Sequence, residues 1–229
     1  MGNHIMTGMK ALVTALLLVG ALPAHAETVF GLVIGNNRSL HSNRPDLRYA
    51  DDDALKYATV LSLLAEPSNI LVLTRADAET AQVFADGPSV TAAPTRDAVL
   101  AAAASLAARV AEARSRGERT SLFLVFAGHG DVEAGRGFVE LEDGRFKKED
   151  LEALLTQVGT HVTHVVLDSC NAFFLIHPRR PGGRAFTTAA DVTGGLRAKG
   201  TDVGVFLSTS SDAQVYEWSQ LQSGIFSHA

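Results

Sequence analysis

SLFLVFAGHG, residues 121–130, is the stretch on which the reading of the fold turns. Its first six residues are apolar apart from Ser121 and show no polar alternation, as expected of a strand buried on both faces. A polar turn around Gly117 precedes it, and Gly128-His129-Gly130 stops it. Residues 161–167, HVTHVVL, follow the same plan and end at Asp168-Ser169-Cys170. Both runs therefore place a chemically versatile side chain just past the carboxyl end of a buried strand.

Working outward, residues 28–35 (TVFGLVIG) form a third such run that stops at Gly35-Asn36-Asn37, and residues 70–73 and 203–207 are two shorter ones. Between them lie helical patterns. In residues 46–64, Leu47, Ala50, Ala54, Tyr57, Ala58 and Leu61 recur at helical spacing, with Pro67 beyond. Thr95 is placed to cap a helix running through the alanines to about Ala113, and residues 147–157 predict another. Residues 137–141 and 145–146, joined by Asp143-Gly144, read as a small hairpin. Residues 81–93 are read as an exposed loop, and residues 174–200, with Pro, Gly and several Arg, as a long mobile segment. Strands alternating with helices predict an α/β fold with a mostly parallel sheet covered on both faces.

With 229 residues, 46% of them hydrophobic, the chain can bury one substantial core, and a single domain over residues 27–229 is expected. Residues 1–26 are set apart. Lys10 precedes an apolar run over residues 11–22, then Pro23 and Ala24-His25-Ala26, the order of a cleavable export signal. The run is short for a membrane span, so no stable span is expected after processing; an uncleaved anchor is the alternative. The expected location is therefore periplasmic or secreted. Loss of Lys10 leaves 19 basic side chains against 25 acidic ones, a charge of −6. That balance argues against a broad nucleic-acid surface and suits the attraction of cationic substrates. A single cysteine excludes an internal disulfide, and a lone thiol in an oxidising compartment is a liability unless it is buried or used.

In parallel α/β sheets the working crevice lies beyond the carboxyl ends of the strands. If the strands ending at His129 and Cys170 pair, their side chains face one crevice, because neighbouring strands are about 5 Å apart. A free thiol near its usual pKa is only a few per cent thiolate at neutral pH and benefits from a base or cation. His129 can serve as that partner and as general acid to a departing amine. Backbone N–H groups at Gly130 and Cys170 can stabilise a tetrahedral oxyanion. The competing reading of these residues is a buried, inert cysteine at a strand end.

Phe126-Ala127-Gly128-His129-Gly130 and Asp168-Ser169-Cys170-Asn171-Ala172 resemble the paired histidine and cysteine motifs of the caspase-like cysteine peptidases, closest to metacaspases and bacterial caspase-domain proteins. Gly35-Asn36 at the first strand end and Tyr49-Ala50-Asp51-Asp52-Asp53-Ala54 on the first helix fit the same pattern, as does the spacing of 41 residues from His129 to Cys170. The resemblance implies a caspase-haemoglobinase-like three-layer sandwich and a Cys–His dyad cleaving peptide bonds. It also implies a pocket for Arg or Lys, carried by Asp168 and Asp53. For Asp53 the alternative is a solvated acidic helix face, and for Asp168 a tie for the catalytic loop. Many relatives carry a small polar residue at the position of Ala127, so the resemblance implies one pocket hydrogen bond fewer here. No cofactor is expected. Some metacaspases require calcium, but no ion site stands out in this sequence.

The implied partner is a peptide or protein with a basic residue before the scissile bond. Arg179, Arg180 and Arg184 are either cleavage sites for such an enzyme or parts of a charged loop. His161 and His164, in one strand, point to opposite faces and are read as structural. The resemblance also implies a further helix and often a strand past Ala229, so the domain is read as a fragment or as one completed by a partner. The oligomeric state stays open. Two other function classes remain: a caspase-fold binding or regulatory module without turnover, and a flavodoxin-like small-ligand binder. The latter is weakened because Gly35-Asn36-Asn37 lacks the glycine spacing of a phosphate loop.

Overall fold

The computed structural model describes residues 27–41, 43–177, 196–208, 217–218 and 223–224. The expected export signal (residues 1–26), the basic sites at Arg179, Arg180 and Arg184, and most of the run after Ser208 lie outside these residues.

The five apolar runs are strands of one parallel sheet. β1 (Glu27–Asn36), β2 (Ile70–Leu73), β3 (Arg119–Gly128), β7 (Val162–Asp168) and β8 (Asp202–Leu207) pair in the order β2-β1-β3-β7-β8. β3 and β7 are direct neighbours, in register from Ser121 opposite Val162 to Ala127 opposite Asp168. Between them run β4 (Gly130–Glu133), β5 (Arg136–Leu141) and β6 (Gly144–Lys147), a small antiparallel sheet. Two-residue strands β9 (Glu217–Trp218) and β10 (Ser223–Gly224) pair with each other.

Side chains of a strand alternate between faces. Phe30, Leu32, Ile34, Leu122, Leu124, Phe126, Val165 and Leu167 face one way, onto α3 (Arg96–Ser115) and α4 (Lys148–Val158). Val33 and Val125 face the other way, onto Ala54, Leu55 and Ala58 of α1 (Ala50–Leu61). The result is a mostly parallel sheet with helices on both faces, a three-layer arrangement. α3 forms because Val99, Ala103, Leu106 and Val110 line one face and Thr95 accepts from the Ala98 N–H at 3.3 Å. Asp150, in the first turn of α4, reaches back to the Lys147 N–H at 2.9 Å and pairs with Arg96, joining α4 to α3.

Three expectations are corrected. The first helix begins at Ala50 rather than at residue 46, because Asn37 captures the approach. Its backbone carbonyl accepts from the Leu47 N–H at 2.7 Å, and its side-chain oxygen accepts from the Ala50 N–H at 2.8 Å. The loop expected over residues 81–93 overlaps α2 (Ala78–Val83), whose first turn is capped by the Asp77 carboxylate on the Thr80 N–H at 2.8 Å. Residues 174–176 belong to α5 (Ala172–Ile176), not to the start of a mobile segment. Phe174, Leu175 and Ile176 are buried there, against β5.

Candidate active site

β3 and β7 end side by side, so the turns that follow them share one edge of the sheet. Gly128 has φ +156°, and a Cβ there would lie 2.9 Å from the Asn36 carbonyl oxygen. Only glycine lets the chain turn this closely past the end of β1. His129 follows, largely buried, with Nε2 3.2 Å from the Pro45 carbonyl oxygen. In the neutral imidazole that contact puts the proton on Nε2 and leaves Nδ1 as the acceptor. Burial, then the Arg44 guanidinium, depress the His129 pKa below its ordinary value. Glu140, the Pro45 carbonyl and Asp46 pull it back up.

On the other side, Asn171 adopts the left-handed conformation at φ 56° and starts α5, so the chain turns sharply at Cys170. Cys170 is half-buried. The turn is fixed to the end of β8: the Ser169 N–H donates to Ser208 Oγ, and that hydroxyl donates to the Ser169 carbonyl, each at 3.1 Å. The histidine and cysteine turns touch through Gly130. A Cβ there would lie 2.2 Å from the Cys170 carbonyl oxygen and 2.9 Å from Ser169 Oγ.

Ala127 and Asp168 are opposite each other, and Ala127 is opposite Gly35. By alternation this row has the parity of Val125 and Val33, so it faces α1. At Gly35 the helix comes closest: a Cβ there would lie 2.4 Å from the Ala50 carbonyl oxygen and 2.6 Å from Ala54 Cβ. Asp168 thus lies in the row that faces the helix carrying Asp53, and both side chains are buried. Asp51, Asp52 and Asp53 are 1%, 6% and 3% exposed, which overturns the alternative of a solvated acidic face. Asp51 accepts from the Asn37 side chain at 2.7 Å and from the Asp77 N–H at 2.9 Å, while Asp52 accepts from Thr80 Oγ1 at 3.0 Å. Asp53 has Lys56 Nζ at 3.5 Å.

His161 and His164 are separate, as their alternation requires. His161 Nδ1 accepts from the Thr120 N–H at 3.1 Å, and His164 stacks on Phe123. Among the described residues no cluster of three or more His, Cys, Asp or Glu is arranged to hold a metal ion, and no helix is long and apolar enough to cross a membrane. A cavity of about 530 Å³ lies beside α5 and the small sheet, lined by Gly137, Phe138, Lys148 and Phe174, but neither His129 nor Cys170 lines it.

Two residues escaped the sequence reading. Pro45 contributes only a backbone oxygen, 84 positions from His129, which no side-chain pattern signals. Glu140 reads as an ordinary member of a short strand, yet its side chain is wholly buried.

His129 and Cys170 thus sit in adjoining turns at the carboxyl edge of a parallel α/β sheet, and Asp53 of α1 and Asp168 of β7 are both buried. No protein-family model matches this chain, and no curated protein matches it.

Proposed function

We propose that this chain is an exported cysteine endopeptidase of the caspase-like type, with a caspase-haemoglobinase-like fold, which cleaves peptide bonds after Arg or Lys. The observation that carries this reading is the contact between the Gly130 backbone and the Cys170 carbonyl, which draws the histidine and cysteine turns together beyond two paired central strands.

His129, held through Nε2 by Pro45, takes the Cys170 thiol proton on Nδ1. The thiolate attacks the substrate carbonyl, and the N–H groups of Gly130 and Cys170 stabilise the oxyanion. The imidazolium returns its proton to the leaving amine as the C–N bond breaks, leaving a thioester on Cys170. Water, deprotonated by His129, hydrolyses the thioester and releases the new carboxyl terminus. Asp168 and Asp53 receive the substrate guanidinium or ammonium, while Ala127, between the sheet strands and α1, adds shape but no hydrogen bond.

The test is hydrolysis of short fluorogenic peptides ending in Arg, Lys or Asp by the chain and by Cys170→Ala. Turnover after Arg or Lys that disappears in Cys170→Ala is expected. Cleavage after Asp would keep the dyad and overturn the acidic pocket. Folded protein that cleaves none of them, with or without calcium, would favour a binding module instead.

A further inference from the structure

Glu140 lies on β5, outside the residues assigned to the dyad or the pocket, yet all three of its polar groups serve their surroundings. Its backbone N–H donates to the His129 carbonyl at 2.9 Å, and its carbonyl accepts from the Asn36 side chain at 2.8 Å. Its carboxylate takes the Leu40 N–H on Oε2 at 2.9 Å and the Arg44 guanidinium on Oε1. His41 Nε2 lies 3.5 Å from the same Oε1, and Asp131 flanks both side chains, 3.7 Å from Arg44 and 3.9 Å from His41.

A wholly buried carboxylate is costly unless its charge is matched, and an apolar residue in that inward position would pack at lower cost. What the carboxylate holds is the loop before α1. That loop is braced internally: Arg44 Nε donates to Ser39 Oγ at 3.0 Å, the Arg44 N–H to the His41 carbonyl at 3.1 Å, and the Ser39 N–H to Asp46 at 2.8 Å. Pro45, with its φ fixed by the ring, follows Arg44 directly. A grip on Leu40 and Arg44 is therefore a grip on the Pro45 carbonyl.

We infer that Glu140 is a positioning residue: its buried carboxylate clamps Leu40 and Arg44 so that the Pro45 carbonyl stays on His129 Nε2 and the imidazole presents Nδ1 to the Cys170 thiol. This rests on the Cys–His reading of the preceding subsection. The loop supplies the alignment from one side, and the Glu140 N–H steadies the His129 backbone from the other.

Geometry and charge make opposite predictions for the two ends of the clamp. The charged groups near His129 are Arg44, Glu140 and Asp46, with Asp131 and the titratable His41 around the clamp. If Glu140 acted only through its charge, Glu140→Gln would make the imidazolium harder to form and Arg44→Gln would make it easier. Their pH profiles would then move in opposite directions. As a clamp, both changes release the same loop and have the same effect.

The experiment measures the rate of Cys170 alkylation by iodoacetamide against pH, together with kcat and KM on an Arg peptide. It uses the full chain, Glu140→Gln, Arg44→Gln, Arg44→Lys and His129→Ala. Both Gln variants are expected to lose about tenfold to hundredfold in kcat with KM little changed. Both are also expected to alkylate roughly tenfold more slowly at about pH 6, while Arg44→Lys recovers most of the loss. Opposite shifts for the two Gln variants, or profiles superimposable on the unaltered chain, overturn the clamp. If His129→Ala leaves alkylation unchanged, the dyad fails and the clamp with it; if His129→Ala changes alkylation while the Gln variants do not, the clamp alone fails. Should Glu140→Gln lose its cooperative thermal transition, Arg44→Gln and its Lys rescue decide the matter, because the Arg44 side chain is partly exposed.

Discussion

The backbone of Gly130 lies against the carbonyl of Cys170, so close that a Cβ at residue 130 would stand 2.2 Å from that oxygen. No real Cβ tolerates this, and the obstacle is backbone, so relief requires one of the two turns to move. Gly130→Ala is expected to lower peptide turnover by about a hundredfold or more and to cost about 1–3 kcal/mol of stability. Fluorogenic hydrolysis beside a denaturant titration reads both. Full activity in a stable Gly130→Ala protein would mean that the two turns do not act as a unit.

The proposed acidic pocket is open to a charge-specific test. Asp168→Asn and Asp53→Asn preserve size and remove charge, and both side chains are buried. Each is expected to reduce kcat/KM for an Arg peptide by about 2 kcal/mol, roughly thirtyfold, with little effect on a citrulline peptide of the same shape. An unchanged Arg-to-citrulline ratio would remove both residues from the pocket.

Asp52 gives a prediction about stability alone. Burial pushes its carboxyl up from 3.8 to about 6, although the Thr80 hydroxyl works against the rise. The folded protein thus holds this proton to higher pH than the unfolded chain does. The contribution of Asp52 to stability is fully present below 3.8, declines as pH rises to about 6, and stays low above that. Asp52→Asn, which can still accept from Thr80, is expected to be more stable at neutral pH by on the order of 1–2 kcal/mol, with a shallower decline over the same window. Thermal melts across pH provide the check, and a neutral-pH loss of stability would contradict it.

Thr95 caps α3 far from the paired turns in sequence, through its hydroxyl on the Ala98 N–H. Thr95→Ala is expected to cost about 1 kcal/mol of stability and to leave kcat unaltered. A thermal melt and one saturating assay suffice to check it.

The parts of this molecule that sequence made legible are those governed by local rules. The parallel strands declared themselves because burial on both faces leaves an apolar run with no alternation, and Gly128-His129-Gly130 ends the central one. The first helix starts at Ala50 rather than residue 46, and a short helix overlaps the loop expected over residues 81–93, because polar caps set both: Asn37 reaches forward to Ala50, and Asp77 caps a helix of six residues. The extra strand β4 follows His129 without a hydrophobic run of its own and exists by pairing with β5. His129 and Cys170 were visible as strand-end residues, whereas Asp53 and Asp168 drew notice only through likeness to a family. Pro45 and Glu140 were hidden, since the first acts through a carbonyl 84 positions away and the second holds partners 96 and 100 positions away.

The pairing of β3 with β7 also governs when the His129 and Cys170 turns can meet. The two strands are parallel, so the chain must complete the small sheet and α4 before the ends bearing His129 and Cys170 can meet. Contacts of such long sequence separation form late, after local helices and hairpins. Until then the two side chains are apart. If the pair works as proposed, a newly made chain carries it disarmed, and the closing of the sheet is the step that arms it.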